Sequence, residues 1–487
     1  MKESKSRLKM VSPLVTTLIV LAFLLVFLSS SPGQSFTPNQ NPASPGEAAP
    51  GSLKSSVEKP VSTEIVENPA EQDKLESLDE PDNRNEAESR DMLNNQAEPE
   101  EPTGHNNPDE PEVPEIPPEE TVLNINDANP GLAGLLDNIA LQYNCAAVSL
   151  VAYDGDLRDY YTYQYGFRSI SAGQPVDRDT KLRVASLSKL VVVICAMTLV
   201  ESGALVLDAD ISDYIGYTVR NPHFPDIAIT PRMLMQHTSS IYDSDIYKTT
   251  RNKDLPETTR RLLDAGTCYE EWKPGSHFDY SNFGYAILGL ICEKISGKRF
   301  DTLARDILFD PIDIDASFLP ARLSDTGNIA VIYDENHRQT RSVQSQLNTG
   351  DSSSQGSDHN QITGNLTMSM IDYAKILTML GNGGTFGDVR ILSGESINEM
   401  HNANAEGEGF KQGLASRYQN DTSIPGAGSY WHTGSSWGTF AQYMYIIGDG
   451  GNRGVVVVTT GATTGRLDNG MVDLCTELSV LVWELFE

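Results

Sequence analysis

VASLSKLVVVICAMTLVESG, which spans residues 184–203, is the stretch of sequence that decides the fold. Residues Ser186–Ser202 are apolar on nearly all faces of a helix, and Gly203 follows as a stop signal. A helix without a polar face is stable in water only when other elements enclose it. The stretch therefore predicts a buried central helix, with a short extended segment, Lys181–Val184, leading into it.

Segments typical of β-strands occur both before and after this helix in the sequence. Ala146–Tyr153 and Tyr160–Phe167 flank Asp154-Gly155, a dipeptide that favours a tight hairpin turn. Further strands are predicted at Tyr430–Thr433, Thr439–Ile447 and Val455–Thr460. Further helices are predicted at Gly131–Tyr143, Gly284–Ile295 and Val472–Glu487.

Hairpin strands at both ends of the domain, with helices between them, predict the fold class. We expect an α/β fold of the α+β kind, in which a single antiparallel sheet is flanked by helices and carries a helical subdomain. Residues 338–362 are polar and rich in Ser, Gln and Asp, and they are predicted to form a mobile surface loop.

Three parts of the chain differ in composition. Residues 1–30 place basic side chains before an apolar run, Val11–Leu28, which predicts a single-pass membrane anchor with the rest of the chain outside the cytoplasm. A cleaved signal peptide is the alternative. Residues 31–121 are rich in Pro, Glu and Ser, and we expect a disordered acidic linker that spaces the domain from the bilayer. Residues 122–487 form the one globular domain.

Charge and spacing argue against several classes of partner. The chain has 67 acidic and 36 basic residues, and its formal charge of -31 has the wrong sign for a nucleic-acid-binding protein. The five cysteines are far apart among apolar neighbours, so buried free thiols are expected, with a disulfide as the alternative. No histidine or cysteine spacing indicates a metal site, and no cofactor is expected.

Ser186-Leu187-Ser188-Lys189, at the start of the predicted helix, is an S-x-x-K motif. A serine hydroxyl becomes a good nucleophile when a neighbour accepts its proton, and a lysine one helical turn later lies on the same face. The helix N-terminus adds a backbone N–H that can stabilise an oxyanion. Ser56-Val57-Glu58-Lys59 matches the motif equally well inside the linker, so the position on a buried helix is what indicates an active site.

Tyr280-Ser281-Asn282 stands immediately before another predicted helix. A tyrosine beside a lysine amine can carry a proton to and from reacting atoms. The amide of Asn282 can hold a substrate carbonyl. The alternative interpretation is ordinary turn chemistry before a helix.

His432-Thr433-Gly434 and the following Ser435 stand at the end of a predicted strand. Thr433 can bind a substrate carboxylate, and His432 can donate a hydrogen bond or, when protonated, supply a positive charge. Gly434 would allow a substrate backbone to approach an edge strand, and the Ser435 N–H could complete an oxyanion hole. A structural histidine is the alternative for His432.

Taken in this order, the three motifs resemble the serine β-lactamase and penicillin-recognising D-Ala-D-Ala peptidase superfamily, in its class C branch, over about residues 123–487. The segment Leu234–Ser239 and the segment Asp372–Gly384 fit the same pattern. The resemblance implies a β-lactamase/transpeptidase-like fold. The implied roles are nucleophile for Ser186, proton transfer for Lys189 and Tyr280, substrate binding for Asn282, carboxylate recognition for His432 and Thr433, and an oxyanion hole from the amides of Ser186 and Ser435.

Two departures from the family pattern bear on function. Ser240 replaces a glycine that usually follows the His-Thr-Ser stretch. His432 stands where β-lactamases of this branch typically carry lysine, and H-T-G is similar to the Streptomyces-type D-alanyl-D-alanine carboxypeptidase. We therefore expect a membrane-tethered D-Ala-D-Ala carboxypeptidase or transpeptidase that acts on peptidoglycan stem peptides and also recognises β-lactams. The alternatives are a β-lactamase, an esterase, including a D-alanyl ester hydrolase, or a non-catalytic wall-binding receptor.

Overall fold

The computed structural model describes residues 121–250, 255–349, 359–420, 428–447 and 452–486. The chain divides into two units, residues 1–108 and 109–487, and the described residues belong to the second. The predicted anchor and residues 31–120 of the predicted linker lie outside the described residues. Within the described ranges, no helix is both long enough and apolar enough to cross a bilayer.

The strands of the described residues are short at the periphery and eight to eleven residues long at the centre. In chain order they are β1 (Thr121–Asn124), β2 (Ala147–Asp154), β3 (Asp159–Ser169), β4 (Gln174–Pro175), β5 (Leu182–Arg183), β6 (Ile332–Tyr333), β7 (Gln339–Arg341), β8 (Thr367–Met368), β9 (Thr385–Phe386), β10 (Val389–Arg390), β11 (Ala405–Glu406), β12 (Lys411–Gln412), β13 (Arg417–Gln419), β14 (Ser429–Ser436), β15 (Thr439–Ile446) and β16 (Arg453–Thr460).

The helices lie mainly between β5 and β11. In chain order they are α1 (Ile125–Ala128), α2 (Pro130–Gln142), α3 (Ser188–Glu201), α4 (Ser212–Ile215), α5 (Pro231–Met235), α6 (Asp245–Thr250), α7 (Leu255–Asp264), α8 (Asn282–Ser296), α9 (Phe300–Ala304), α10 (Val343–Leu347), α11 (His359–Gly364), α12 (Met370–Gly381), α13 (Gly394–His401) and α14 (Asp473–Trp483).

Ten strands form one sheet, in the order β1-β3-β2-β16-β15-β14-β13-β12-β11, with β4 beside β3. The predicted hairpin is confirmed, because Ala147 pairs with Gly166 and Asp154 with Asp159. The sheet is antiparallel as predicted except at one edge, where β1 runs parallel to β3. Two helices and β2 separate β1 from β3, a connection long enough to allow parallel pairing.

Helices cover both faces of the sheet. Along β16, Val455 and Val457 belong to the core beneath α2 and α14, whereas Val456 and Val458 belong to the core beneath α3 and α12. Successive side chains of a strand point to opposite faces, so a strand covered on both sides has no polar alternation. The run of four valines in β16 follows from this position, and all four are fully buried.

The predicted central helix is confirmed as α3, in which every residue from Ser188 to Met197 is buried. It is preceded by a 3-10 turn, Ala185–Leu187. The sequence predicted that Ser186 would open the α-helix itself. In the structure, Ser186 lies in the preceding 3-10 turn instead. The five cysteines are buried with free thiols.

The prediction of a mobile loop at residues 338–362 is wrong for the part that the structure describes. This part contains β7, α10 and the start of α11, while residues 350–358 lie outside the described residues. Polar composition misled the prediction, because some polar side chains of this segment make hydrogen bonds inside the fold. Gln346, for example, is buried and donates a hydrogen bond from Nε2 to the carbonyl oxygen of Ala330 at 2.8 Å.

Candidate active site

One cavity of about 940 Å³ opens where the end of β14 meets the starts of α3 and α8. The residues predicted from the three motifs that line it are Ser186, Tyr280, Asn282, His432, Thr433 and Ser435. Lys189 and Gly434 are buried and contact the cavity-lining residues from behind. The fold thus brings together residues that are up to 249 positions apart in sequence.

Lys189 is completely buried, and its amine has three oxygen partners. Nζ lies 3.2 Å from Ser186 Oγ, 2.8 Å from Asn282 Oδ1 and 2.9 Å from the carbonyl oxygen of Thr363. The sequence predicted the first contact from the S-x-x-K spacing. Thr363 belongs to α11, just beyond the segment predicted to be a loop, and it contributes only a backbone carbonyl, so no sequence signal pointed to it.

The aromatic ring of Tyr280 contacts the Lys189 amine. Lys189 Nζ lies 5.1 Å from the ring centroid, which is within the range of a cation–π contact. His237 packs against the Tyr280 ring, with 4.4 Å between the two ring centroids. His237 Nδ1 also accepts a hydrogen bond from the Ser281 backbone N–H at 3.1 Å, so this histidine holds both the ring and the backbone of the Tyr-Ser-Asn segment.

His237 is neutral in this environment. Burial lowers the pKa of its imidazole well below the usual range, and the nearby Lys189, His432 and Arg417 lower it further. Its φ of +58° is in the left-handed region, which side chains other than glycine rarely adopt. Ser240, which departs from the family pattern, also has a positive φ, +63°, at a position that favours glycine.

Gly434 allows β14 to pack against the turn that carries Ser186. A Cβ atom at this position would lie 2.6 Å from the carbonyl oxygen of Val184 and 3.2 Å from the Ser186 nitrogen. The space on the Cβ side of Gly434 is therefore filled by the turn Ala185–Leu187, which leaves no room for a side chain at this position. Ala185 in the same turn has φ +49°, a strained conformation that the close packing enforces.

β14, which was predicted to be an edge strand, has a free edge along only part of its length. β14 pairs with β15 along its length, and β13 covers its other side only from Ser429 to Trp431. Residues 432–436 therefore have a strand partner on one side alone among the described strands. An extended peptide could pair with this exposed side.

His432 lines the cavity from a buried position. Its side chain is 3% exposed, and Nδ1 lies 2.7 Å from the Thr433 carbonyl oxygen. Burial lowers the pKa of His432 well below its usual range, and the cationic groups of Arg417 and Lys189 act in the same direction. This environment favours the neutral imidazole over the protonated form that the sequence analysis also considered.

Two arginines that the sequence analysis missed supply the positive charge. Arg466 Nη1 donates to Thr433 Oγ1 at 3.1 Å. Arg417 is 9% exposed, and its guanidinium carbon lies 4.4 Å from the ring centroid of Phe410 and 5.0 Å from that of Trp431. Both arginines line the cavity. A single arginine does not indicate a binding site in the sequence. Only the pairing of β13 with β14 shows that Arg417 lies next to the H-T-G motif.

Arg417 is unusual because it is buried without an acidic partner among the described residues. Its Nε is buried and has no hydrogen-bond acceptor there. Burial lowers the pKa of Arg417 to about 10, which leaves the guanidinium charged at neutral pH. Over the same ranges, no group of three or more His, Cys, Asp or Glu side chains is arranged to hold a metal ion.

Comparison with known proteins identifies the family of the chain. Residues 132–474 match the protein-family model described as Beta-lactamase. The chain belongs to the beta-lactamase family. The family and the class of enzyme predicted from the three motifs, a β-lactamase-related serine hydrolase, are thereby confirmed at the level of the family.

The similar curated sequences include a penicillin-binding protein and an esterase. The chain is 28% identical over 184 residues to "Penicillin-binding protein 4" of Amycolatopsis lactamdurans, covering 37% of this chain and 46% of that protein. It is 29% identical over 192 residues to "Esterase EstB" of Burkholderia gladioli, covering 36% and 47%. The match spans less than half the length of these curated relatives.

Solved structures of beta-lactamase-family proteins share the fold. The octameric penicillin-binding protein homologue from Pyrococcus abyssi has a TM-score of 0.57 at 21% identity, covering 73% of this chain and 76% of that one. A class C beta-lactamase from Rhodobacter sphaeroides has a TM-score of 0.55 at 17% identity, covering 73% and 98%. The predicted fold class, a sheet flanked by helices, is confirmed.

Proposed function

We propose that this protein is a serine hydrolase that forms an acyl-enzyme on Ser186 and acts as a D-Ala-D-Ala carboxypeptidase or transpeptidase on peptidoglycan stem peptides. The observation that carries this proposal is the buried, unpaired guanidinium of Arg417 beside Arg466 and Thr433. These cationic and hydroxyl groups lie in the same cavity as the nucleophile.

A buried cation without an acidic partner is costly, because aromatic contacts such as those with Phe410 and Trp431 replace only part of the lost hydration. A substrate carboxylate in the cavity would provide the missing partner, and paired N–H donors of arginine fit a carboxylate well. A peptide that ends in D-Ala-D-Ala presents a free carboxylate one residue beyond the scissile amide. A simple ester does not, so the arginines favour a peptidase over an esterase.

The side chains of the site have roles that follow from their positions. Ser186 Oγ attacks the carbonyl carbon of the penultimate D-alanine, and its proton passes to Lys189 or Tyr280. The amides of Ser186 and Ser435 stabilise the oxyanion. The C–N bond then breaks, the leaving nitrogen takes up the proton, and free D-alanine departs. Water, or an amine in transpeptidation, attacks the ester carbonyl and releases Ser186.

We also propose that the domain acts outside the cytoplasm on a membrane tether. The apolar run Val11–Leu28 after four basic residues supports this location, and the acidic, Pro-rich residues 31–121 would hold the domain away from an anionic bilayer. A catalytic domain held at that distance from the bilayer could reach newly made peptidoglycan.

The test combines intact-protein mass spectrometry with a product assay. The domain from residue 121 is incubated with benzylpenicillin and, separately, with a peptide that ends in D-Ala-D-Ala, and Ser186→Ala serves as the control. A persistent penicillin adduct on wild-type protein alone, with release of D-alanine, is the expected result.

Other outcomes point to other functions. Rapid conversion of penicillin to its hydrolysed form, without release of D-alanine, would identify a β-lactamase. Turnover of a simple ester without a penicillin adduct would overturn the peptidase proposal in favour of an esterase, including one acting on D-alanyl esters. Binding of D-Ala-D-Ala peptide without any turnover would identify a wall-binding receptor.

A further inference from the structure

Asp243 is a half-buried carboxylate next to the site that belongs to none of the three motifs. Its Oδ2 accepts a hydrogen bond from Asn282 Nδ2 at 2.7 Å, and its Oδ1 accepts one from the Phe283 backbone N–H at 2.8 Å. The Ser281 hydroxyl lies 3.4 Å from the same Oδ1. Both carboxylate oxygens are thus occupied by residues that open α8.

Asn282 stands between Asp243 and Lys189. Its Nδ2 donates to the carboxylate, while its Oδ1 lies 2.8 Å from Lys189 Nζ. A carboxylate can only accept hydrogen bonds, whereas the amide has a donor end and an acceptor end. A reversed amide would set its oxygen against the carboxylate and its N–H groups against the lysine amine, so both contacts would become repulsive.

We propose that Asp243 is a positioning residue for the reaction, which fixes the orientation of the Asn282 amide and through it the amine of Lys189 beside Ser186. The inference rests on the proposed acyl-enzyme chemistry. A negative charge at the start of α8 is also favourable because the helix dipole is positive there, so the fold stabilises the carboxylate in place.

The charge of Asp243 adds a second effect. Among the described residues no carboxylate forms an ion pair with Lys189, and the connection through Asn282 is the route by which an acidic group reaches it. A nearby negative charge favours the protonated form of any base in the site. The titratable or charged groups that face Lys189 from the surrounding elements are Tyr280, Tyr285, His237, His432 and Arg417.

The test uses Asp243→Asn and hydrolysis of p-nitrophenyl acetate, an ester that requires the Ser186 chemistry but no D-alanyl recognition. We expect kcat to fall about tenfold to a hundredfold, the factor that corresponds to one charge-assisted hydrogen bond, with little change in KM. We also expect the acidic limb of the kcat/KM profile to move to lower pH, because the negative charge that favours the protonated base is gone.

A double-mutant cycle with Asn282→Ala separates positioning from a general loss of structure. If Asp243 acts through Asn282, Asp243→Asn has little further effect in the Asn282→Ala background. Additive losses, or an unchanged pH profile, would overturn the inference. If Ser186→Ala retains wild-type turnover of the ester, both this inference and the proposed function fail.

Asp301→Asn is the matched control. Asp301 is 2% exposed and, like Asp243, accepts a backbone N–H, from Phe318 at 2.7 Å, and a hydroxyl, from Ser317 at 2.6 Å. It does not line the cavity. The control should lower the melting temperature without moving the pH profile, and the same pattern in Asp243→Asn would show that Asp243 is merely structural.

Discussion

Lys189 Nζ lies 3.2 Å from Ser186 Oγ, although the lysine side chain is completely buried. The amine that we propose as an acceptor of the serine proton is therefore shielded from bulk solvent. Burial of an amine is unfavourable unless its hydrogen bonds are satisfied, and Asn282 and Thr363 supply the other two acceptors. The position of this lysine is explained by reactivity more readily than by stability.

Lys189→Met tests this view. Methionine has a similar length and fits an apolar site, so we expect the fold to persist while kcat/KM for an ester substrate falls about 10²- to 10⁴-fold, the usual contribution of a general base. Steady-state hydrolysis and a thermal melt are the measurements. Retention of more than about a tenth of the activity would exclude Lys189 as the essential proton acceptor.

Lys181→Met is the control for that substitution. Lys181 is also a buried lysine, 7% exposed, but it pairs with Asp315 at 3.3 Å and Asp372 at 3.7 Å, away from the cavity. Its removal leaves Asp315 without its cation, although Asp372 keeps Lys375, so the melting temperature should fall while kcat/KM stays unchanged. We thus expect Lys189→Met to lower activity but keep the fold, and Lys181→Met to lower stability but keep the activity.

Gly434→Ala tests the packing of β14 against the nucleophile turn. A methyl group 2.6 Å from the Val184 carbonyl oxygen must displace the turn that carries Ser186. A shift of about 1 Å in reacting atoms can cost a hundredfold in rate, so we expect a comparable loss of kcat/KM together with about 1–3 kcal/mol of unfolding free energy from overpacking. Chemical denaturation and ester hydrolysis measure both.

Gly134→Ala provides the comparison for Gly434→Ala. Gly134 lies in the interior of α2, and a Cβ atom there would meet nothing within 4 Å. Alanine at this position should raise the unfolding free energy by about 0.5–1 kcal/mol and leave the activity unchanged. A loss of activity in this variant would indicate that glycine substitutions disturb the site from a distance.

The sequence was sufficient for the parts of the structure that local pattern encodes. The apolar run of α3 and the hairpin of β2 and β3 depend on neighbouring residues, and both were predicted. The S-x-x-K spacing predicted the contact between Lys189 and Ser186 because one helical turn brings these side chains together.

Other parts of the site depend on contacts between distant segments. Thr363 contributes through a backbone carbonyl, which any residue possesses, so its identity carries no signal. Arg417 is an ordinary arginine until β13 pairs with β14 and places it beside the H-T-G motif. Gly434 has a sequence signal, but only the fold reveals that the nucleophile turn occupies the space beside it.

The pH dependence of stability should include a contribution from His401. This histidine is 8% exposed, its Nε2 lies 2.6 Å from Tyr445 Oη, and burial lowers its pKa to about 4. Because the unfolded chain binds a proton near pH 6.5 and the folded chain does not, stability falls as the pH decreases from about 6.5 to 4, by up to about 3 kcal/mol.

His401→Gln should remove this part of the slope. Urea denaturation at several pH values between 7 and 4 compares the variant with wild type, and the exposed His223→Gln serves as the control. We expect the difference in unfolding free energy between wild type and His401→Gln to change by about 1.4 kcal/mol per pH unit in this window. Parallel curves for the two proteins would contradict the prediction.

The proposed carboxylate-binding role of Arg417 leads to the last prediction. A D-Ala-D-Ala peptide and its C-terminal amide differ only in the charged group that Arg417 and Arg466 would bind. Arg417→Met should therefore reduce kcat/KM for the acid about tenfold to a hundredfold and leave the amide unaffected, since one charge-assisted pair is lost. Because the substitution also removes an unpaired buried cation, the melting temperature should stay the same or rise.

Arg232→Met is the control for stability, because Arg232 pairs with Asp208 at 2.7 Å and with Glu399, outside the cavity. Its loss should lower the melting temperature and leave the preference for the acid intact. If Arg417→Met instead destabilises the protein and weakens both substrates equally, the guanidinium serves mainly to fill the space beside Phe410 and Trp431. The carboxylate would then have to be bound by Arg466 and Thr433, and the argument for a peptidase would rest on those two residues alone.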